Sequence, residues 1–268
     1  MSSAQSQVFH QSYVLHSRPY RETSVIVDLL HAGGRVSCVA KGVRGKRKSA
    51  QILRATLQPF QSLACAWVGR SDLKTLTKFE ASGVASNLQG EALLSGFYLN
   101  ELLCKVYHGS SESEAVYKIY AQTLGALAEV CQSAVDVKLA SVELELRCFE
   151  FMLLEKLGYG VNFITDSQSG EAIQANEKCY RYAQESGFIL QDDRSAGSWS
   201  TGSTELAYAQ NASKSLQLTG QAILAIRESL SNRRWNNKHT SRDAKRLSRL
   251  AFQPLLDGKT IETRRLFQ

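Results

Sequence analysis

Near residue 88 the hydrophobic period of this 268-residue chain changes from that of strands to that of helices. Upstream, Ser24-Val25-Ile26-Val27-Asp28-Leu29-Leu30 is dense in β-branched residues. Arg35-Val36-Ser37-Cys38-Val39-Ala40 alternates polar and apolar, the pattern of a half-buried strand. Tyr13-Val14-Leu15, the run from Phe60 to Val68 after Pro59, and the run from Leu73 to Phe79 read the same way. His31-Ala32-Gly33-Gly34 and Gly69-Arg70-Ser71-Asp72 are turns, where glycine tolerates positive φ. Five short strands within residues 11–82, with almost no helical pattern, fit a small closed barrel. The OB-fold is the common barrel of this size for oligonucleotides.

Downstream, Leu88, Ala92, Leu93, Phe97, Leu99, Leu102, Leu103 and Val106 recur at helical spacing, and Gly109 ends that helix. Glu112 to Cys131 forms a second helix. Val137 to Leu157 forms a third and the most apolar, stopped by Gly158. Its Glu143, Glu145, Glu150 and Glu155 are expected on whatever surface stays exposed. Residues 159–202 are polar and irregular, and helices are expected over about 203–231, with an interruption, and 241–256. The reading is an α+β multidomain chain: an OB-fold β-barrel over 1–82, then a helical domain over 83–268 with an irregular insert at 159–202.

One segment of the barrel region resists burial. Lys41-Gly42-Val43-Arg44-Gly45-Lys46-Arg47-Lys48 holds five cations and two glycines and no acid. Unpaired charges are too costly to bury, so a mobile cationic loop standing in water is expected. Such a loop suits the regularly spaced phosphates of a polyanion, which need charge more than shape. The segment from Gly42 to Ser49 also resembles a nucleotide-binding P-loop. Arg47, however, stands where that motif needs its second glycine, whose small size lets backbone N–H groups wrap a phosphate. A solvated charge run with no partner is the plain alternative.

Charge is unevenly distributed. Residues 1–80 carry a net +8, residues 81–190 a net −7 and residues 191–268 a net +6, within a total of +7. Separate surfaces with separate partners are implied. The cysteines Cys38, Cys65, Cys104, Cys131, Cys148 and Cys179 are widely spaced, with no Cys-x-x-Cys pair. Free thiols in a reducing compartment are expected. Met1 to His10 lacks an apolar leader and no run is apolar enough to span a membrane. These features point to the cytoplasm and to no membrane partner.

A second basic element lies in Thr240-Ser241-Arg242-Asp243-Ala244-Lys245-Arg246-Leu247-Ser248-Arg249-Leu250. Thr240 with Asp243 fits a capping box. Arg242, Lys245, Arg246 and Arg249 then share one helix face, opposite Leu247, Leu250 and Ala251. This face reads either as a phosphate track or acidic-peptide groove, or as a solvated face pairing with the acidic middle of the chain. Arg233-Arg234-Trp235 adds cations beside an aromatic. Catalytic signals are lacking: no Gly-x-Ser-x-Gly, His-Glu-x-x-His or Gly-x-Gly-x-x-Gly occurs, and no histidine stands near a nucleophile in a known pattern. Among Tyr13, Tyr20, Phe60, Trp67 and Phe79, which stack on bases if exposed, Tyr20 is the best placed, between Arg18-Pro19 and Arg21.

Several of these segments resemble one known family in order and spacing. Tyr13-Val14-Leu15-His16-Ser17-Arg18-Pro19-Tyr20-Arg21-Glu22-Thr23-Ser24 resembles the first strand pair of the bacterial recombination mediator family RecO. So do Gly34 to Arg44 with the basic loop and Ser49, then Leu57-Gln58-Pro59-Phe60, Gly69 and Asp72-Leu73. Leu256-Asp257-Gly258-Lys259-Thr260-Ile261-Glu262-Thr263-Arg264-Arg265-Leu266-Phe267 resembles the family's carboxy-terminal signature. The resemblance implies an OB-fold followed by a helical domain, binding of single- and double-stranded DNA, and annealing of complementary strands. It also implies action with RecR and with the tail of single-strand-binding protein (SSB), so that RecA is loaded indirectly.

Many members of that family carry a four-cysteine zinc site in the region of residues 159–190, where only Cys179 remains here. One thiolate does not hold a tetrahedral zinc, so no metal and no other cofactor is expected. Packing by Tyr159, Phe163, Ile173, Tyr180 and Phe188 is expected to hold the region instead. The overall expectation is a non-enzymatic DNA-repair mediator whose DNA-binding residues are Arg18, Arg35, Lys41, Arg44, Lys46, Arg47 and Lys48, with Arg242, Lys245, Arg246 and Arg249 as a second basic face. An RNA- or ribosome-binding OB-fold protein is the alternative. A nucleotide enzyme and a pure protein adaptor are further rivals.

Overall fold

The computed structural model describes residues 8–83, 85–109, 112–132, 135–191 and 215–267. They form two compact units, Met1–Lys138 with Lys259–Gln268, and Leu139–Gly258.

The first unit is built on a closed barrel of β1 (His10–Tyr20), β2 (Ser24–His31), β3 (Gly34–Ala40), β4 (Leu63–Val68) and β5 (Leu73–Ala81). Around the barrel the order is β1-β2-β3-β5-β4, closing back on β1. All pairs are antiparallel except β3 with β5, where Ser37 faces Leu73. This is the OB-type arrangement, and closure leaves no free sheet edge. Alternation along each strand sends Val14, Val27, Leu29, Cys38, Ala40, Leu63, Cys65 and Leu76 into the core. Between β3 and β4 the sequence pattern gave no helix, yet α1 (Lys48–Thr56) forms there. It is short and mostly exposed; only Ala50 is fully buried, so it writes almost no apolar period into the sequence.

Two helices of the same unit, α2 (Gly90–Val106) and α3 (Ser113–Gln132), pack on the outside of β1 and β2. At a bulge in β1 between Val14 and His16 the ladder is broken. The buried Asn100 of α2 donates from Nδ2 to the carbonyls of Val14 and Leu15 (3.4 and 3.0 Å). Tyr120 of α3 donates its hydroxyl to Asn100 Oδ1 at 2.6 Å. A carboxy-terminal 3₁₀ turn, Glu262–Phe267, lies against α2.

The second unit is organised on α4 (Val135–Lys156), which is buried nearly all round from Val142 to Leu154. Gly158, at φ +82°, closes it, with the Tyr159 N–H reaching back to the Leu154 carbonyl. The acids of α4 depart from expectation. Glu155 is exposed and Glu143 half-buried, but Glu145 is buried and Glu150 is 0% exposed. Guanidinium groups make this tolerable: Arg147 lies 2.8 Å from Glu150, and Arg233 pairs with Glu145.

The region expected to be irregular supplies two strands of a three-stranded antiparallel sheet, in the order β7-β6-β8. Its strands are β6 (Cys179–Ala183), β7 (Gly187–Leu190) and β8 (Ser215–Thr219). Residues 215–219 are therefore strand, where a helix over 203–231 was expected; the part of that helix at 203–214 lies outside the described residues. Strands of four or five residues leave too short an alternation to stand out against polar neighbours. Ile173, Tyr180 and Phe188 are buried as expected, and Phe163 meets Phe151 of α4 edge-on at 5.4 Å. Tyr159 does not contribute, being 47% exposed. Asp166 supplies what packing does not. Its carboxylate accepts from the backbone N–H groups of Gln168, Ser169 and Leu190 and from the Ser169 hydroxyl.

Helices α5 (Gly220–Asn232), α6 (Lys238–Ala251) and α7 (Gln253–Leu256) complete the unit. The cap of α6 is Asn237, whose Oδ1 accepts from the Thr240 N–H at 2.9 Å. The expected cap, Thr240, is buried inside the first turn, because Asn237 offers the same acceptor three residues earlier.

Candidate nucleic-acid interface

The cationic segment leaves β3 after Ala40 and feeds directly into α1. It is anchored rather than loose. Val43, 2% exposed, drops into the barrel core. The Arg44 N–H donates to the Thr23 carbonyl at 2.8 Å, and its guanidinium to the Arg21 carbonyl at 3.1 Å. Arg54 of α1 reaches back to the Val43 carbonyl. Gly42, at φ +76°, makes the reversal that points Val43 inward.

This anchoring forces the polar residues on either side of Val43 outward. Lys41, Arg44, Lys46, Arg47 and Lys48 are all exposed. Among the described residues no carboxylate lies within ion-pair distance of any of them. The first turn of α1 contains no acid and receives no side-chain cap. Its free N–H groups and dipole therefore add positive potential beside Lys48.

The other expected contacts divide. Arg18 is 52% exposed and lies 3.2 Å from Asp28, which also accepts from the Ser37 hydroxyl. It therefore projects charge that is partly compensated. Arg35 is placed differently from the loop cations. Its Nη1 donates to the carbonyls of Leu103, Cys104 and Tyr107, at 3.3, 3.0 and 2.7 Å. These carbonyls lie at the end of α2, where that of Leu103 also accepts from the Tyr107 N–H, and the guanidinium complements the negative end of the helix. Arg35 is thereby committed to the fold. Tyr20 is half-buried, with the Arg21 guanidinium 5.1 Å over its ring. Phe60 is buried, Tyr13 packs edge-on to Tyr120, and Trp67 stacks on His10 at 4.5 Å.

Two residues at this end of the barrel escaped the sequence reading. Arg21, in the β1–β2 turn, is exposed and touches the loop through its carbonyl. Ile52 is 60% exposed on α1, one helical turn after Lys48. The i, i+4 spacing from Lys48 was the available signal, and it needed α1 to be recognised first.

The second basic face belongs to the other unit. Arg242, Arg246 and Arg249 are exposed on α6, while Leu247, Leu250 and Ala251 are buried on the opposite side. Lys245 turns to Glu143 of α4 at 3.8 Å, and the Ser241 hydroxyl donates to the same carboxylate. The acidic middle of the chain thus pairs with Lys245 of this face. Among the described residues no group of three His, Cys, Asp or Glu side chains is disposed to hold a metal, and Cys179 is exposed. No described helix is long and apolar enough to cross a membrane.

A five-stranded OB-type barrel with an uncompensated cationic loop, followed in the chain by a helical part, defines the class: a two-part OB-fold protein. Residues 6–84 match the family model described as Recombination protein O N terminal, and residues 87–264 match Recombination protein O C terminal. The chain belongs to the recombination protein O (RecO) family. It is 37% identical over 258 residues to a DNA repair protein RecO of Haemophilus influenzae, covering 96% of this chain and 94% of that one. Similarity to the DNA repair protein RecO of Pasteurella multocida (37% over 260 residues) and of Yersinia pestis (37% over 261 residues) covers 97% of this chain and 94% of each relative.

Proposed function

We propose that this protein acts in DNA repair as a non-enzymatic, DNA-binding recombination mediator. In this reading Lys41, Arg44, Lys46, Arg47 and Lys48 contact the sugar-phosphate backbone of single- and double-stranded DNA, with Arg18 at the margin. Neutralising two complementary strands on one protein lowers their repulsion and lets them anneal. RecR and the acidic tail of SSB are the partners through which RecA loading follows, and the site of action is the nucleoid. The observation that carries the reading is a set of five exposed cations on an anchored loop with no acid among the described residues within ion-pair distance. The fold itself gains nothing from that concentration of like charge. Membership of a family whose relatives are named DNA repair proteins supports the same conclusion.

The test is fluorescence anisotropy of a labelled oligonucleotide over a range of salt. Log affinity should fall linearly with log salt, by about 0.7 per phosphate neutralised on single strands and about 0.9 on duplex. Replacing Lys46, Arg47 and Lys48 with Ala should weaken all sequences alike. Undiminished binding, or loss at one sequence only, would count against backbone recognition.

A further inference from the structure

Tyr13 of β1 stands where the barrel meets α3. Its ring centroid lies 5.7 Å from that of Tyr117 and 5.2 Å from that of Tyr120, both on α3. These spacings are those of aromatic rings in contact. Tyr117 and Tyr120 are three residues apart, so they share one helix face and flank the same ring. The three differ in access. Tyr120 is fully buried, and its hydroxyl is held by Asn100. Tyr13 and Tyr117 are only half-buried.

The phenol groups of Tyr13 and Tyr117 also converge. Both interact with the hydroxyl of Ser62, just before β4. Two rings in contact whose hydroxyls meet one group turn their ortho carbons toward each other, because an ortho carbon adjoins the carbon that bears the hydroxyl. Ser62 in turn belongs to an exposed polar network. Its Oγ donates to Gln11 Oε1 at 3.3 Å and lies 2.9 Å from the Ser82 hydroxyl, which donates to the same Gln11 oxygen at 2.6 Å. A proton leaving either phenol therefore has a path to water. Burial raises the pKa of both tyrosines, and Tyr13 beside it raises that of Tyr117 further. Both groups are then phenols at neutral pH, and each must shed its proton as it loses an electron.

We propose that Tyr13 and Tyr117 form a site of oxidative modification, at which a diffusible one-electron oxidant cross-links β1 to α3 through a dityrosine bond. The oxidant takes one electron from each phenol, and the hydroxyl protons pass by way of Ser62 to water. The two phenoxyl radicals couple through their ortho carbons, and the hydrogen on each of those carbons then moves to its oxygen, restoring both phenols. In the net change one C–C bond forms, two C–H bonds break, and two electrons and two protons leave. Tyr120 meets Tyr13 edge-on, at 71°, with its hydroxyl turned inward to Asn100, so it stays unlinked. The site uses none of the cations of the DNA reading and stands or falls independently of it.

The test uses the full chain, ruthenium tris(bipyridyl) as photo-oxidant, persulfate as terminal electron acceptor and a brief exposure to visible light. Wild type should gain the blue fluorescence of dityrosine and lose the mass of two hydrogens. It should remain a monomer on a denaturing gel, with a yield that does not change on dilution. Fragment spectra should join the tryptic peptides that carry Tyr13 and Tyr117. The linked chain should melt at a higher temperature, since a bond between distant residues restricts the unfolded chain. Tyr13→Phe and Tyr117→Phe keep their rings, and with them the packing, but each should lose this link. A Tyr13 link that survives Tyr117→Phe, or one that joins Tyr13 to Tyr120 in wild type, refutes the site. So does dityrosine that forms only between chains and fades on dilution. Oxidation of the tyrosines to unlinked products in wild type refutes it equally.

Discussion

The carboxylate of Glu101 on α2 accepts from both the backbone N–H and the hydroxyl of Thr263, at 2.8 and 2.7 Å, across 162 residues of chain. It also accepts from the Glu262 N–H at 2.8 Å and pairs with Lys105 at 2.6 Å. One side chain thus caps the carboxy-terminal 3₁₀ turn and fixes it to the first unit. Burial alone would raise the pKa of Glu101. The hydrogen bonds from Lys105, Thr263 and Glu262 outweigh it and hold the group at about 2, against an ordinary 4.5. A carboxylate depressed in the folded state stabilises fully above its unfolded pKa and loses that contribution as pH falls through its folded value. Docking of the turn should therefore weaken between pH 4.5 and about 2. Glu101→Gln should cost about 1–3 kcal/mol at neutral pH. It should also flatten the acid limb of a urea-midpoint profile and speed tryptic cleavage after Arg264 and Arg265. An acid limb identical to wild type would contradict this account.

Asn100 should prove equally specific to its place. Changing it to Leu leaves the Val14 and Leu15 carbonyls without their donor and the Tyr120 hydroxyl without its acceptor, all in the interior. Leaving such groups unmet costs about 1–3 kcal/mol. Hydrogen exchange should accelerate first along β1 around its bulge. Asn100→Asp keeps the acceptor but not the donor, and should be no better than Leu.

The sequence conveyed those parts of the fold that depend on a sustained period. Strands β2 and β3 and helices α2 to α4 carry enough apolar repeats to declare themselves, and closure of the barrel follows from their number and size. Helix α1 and the sheet β6–β8 are too short and too polar to do so. The buried acids of α4 misled for a different reason. Glu145 and Glu150 look solvated until Arg233 and Arg147 are brought beside them, and Arg233 is 88 residues from Glu145. At the candidate site the charge of the loop was legible because density of like charge is local. The commitment of Arg35 was not, since its three acceptors lie 68 to 72 residues away.

Asp166 should carry much of the order of residues 164–190. Burial would raise its pKa, but hydrogen bonds from Ser169, Leu190 and Gln168 turn the shift downward. Asp166→Ala removes all four acceptor contacts and should cost about 1–3 kcal/mol. The effect should be confined locally, with limited trypsin cleavage rising at Lys178 and Arg181 before any loss of barrel signal. By the same linkage, this segment should loosen in acid as Asp166 is protonated, and Asp166→Ala should show no such acid step.

The final prediction separates two kinds of arginine in the barrel. Arg35 and Arg47 are both expected from the sequence to contact DNA, but one closes a helix end and the other faces water, with no carboxylate among the described residues within ion-pair distance. Arg35→Ala exposes no new charge and removes a donor shared by three carbonyls, so it should lower stability by about 1–3 kcal/mol. It should leave the salt slope of oligonucleotide binding unchanged, measured at a temperature where the variant is folded. Arg47→Ala should do the reverse, with the melting temperature within a degree or two of wild type and the slope smaller by about 0.7 to 0.9. Arg35→Lys discriminates further. A lysine keeps the charge but offers a single ammonium in place of the planar fork, so stability should recover only in part. If Arg35→Ala instead left stability intact and reduced the slope, the guanidinium would have to leave α2 in solution, and the division between structural and solvent-facing cations would be wrong.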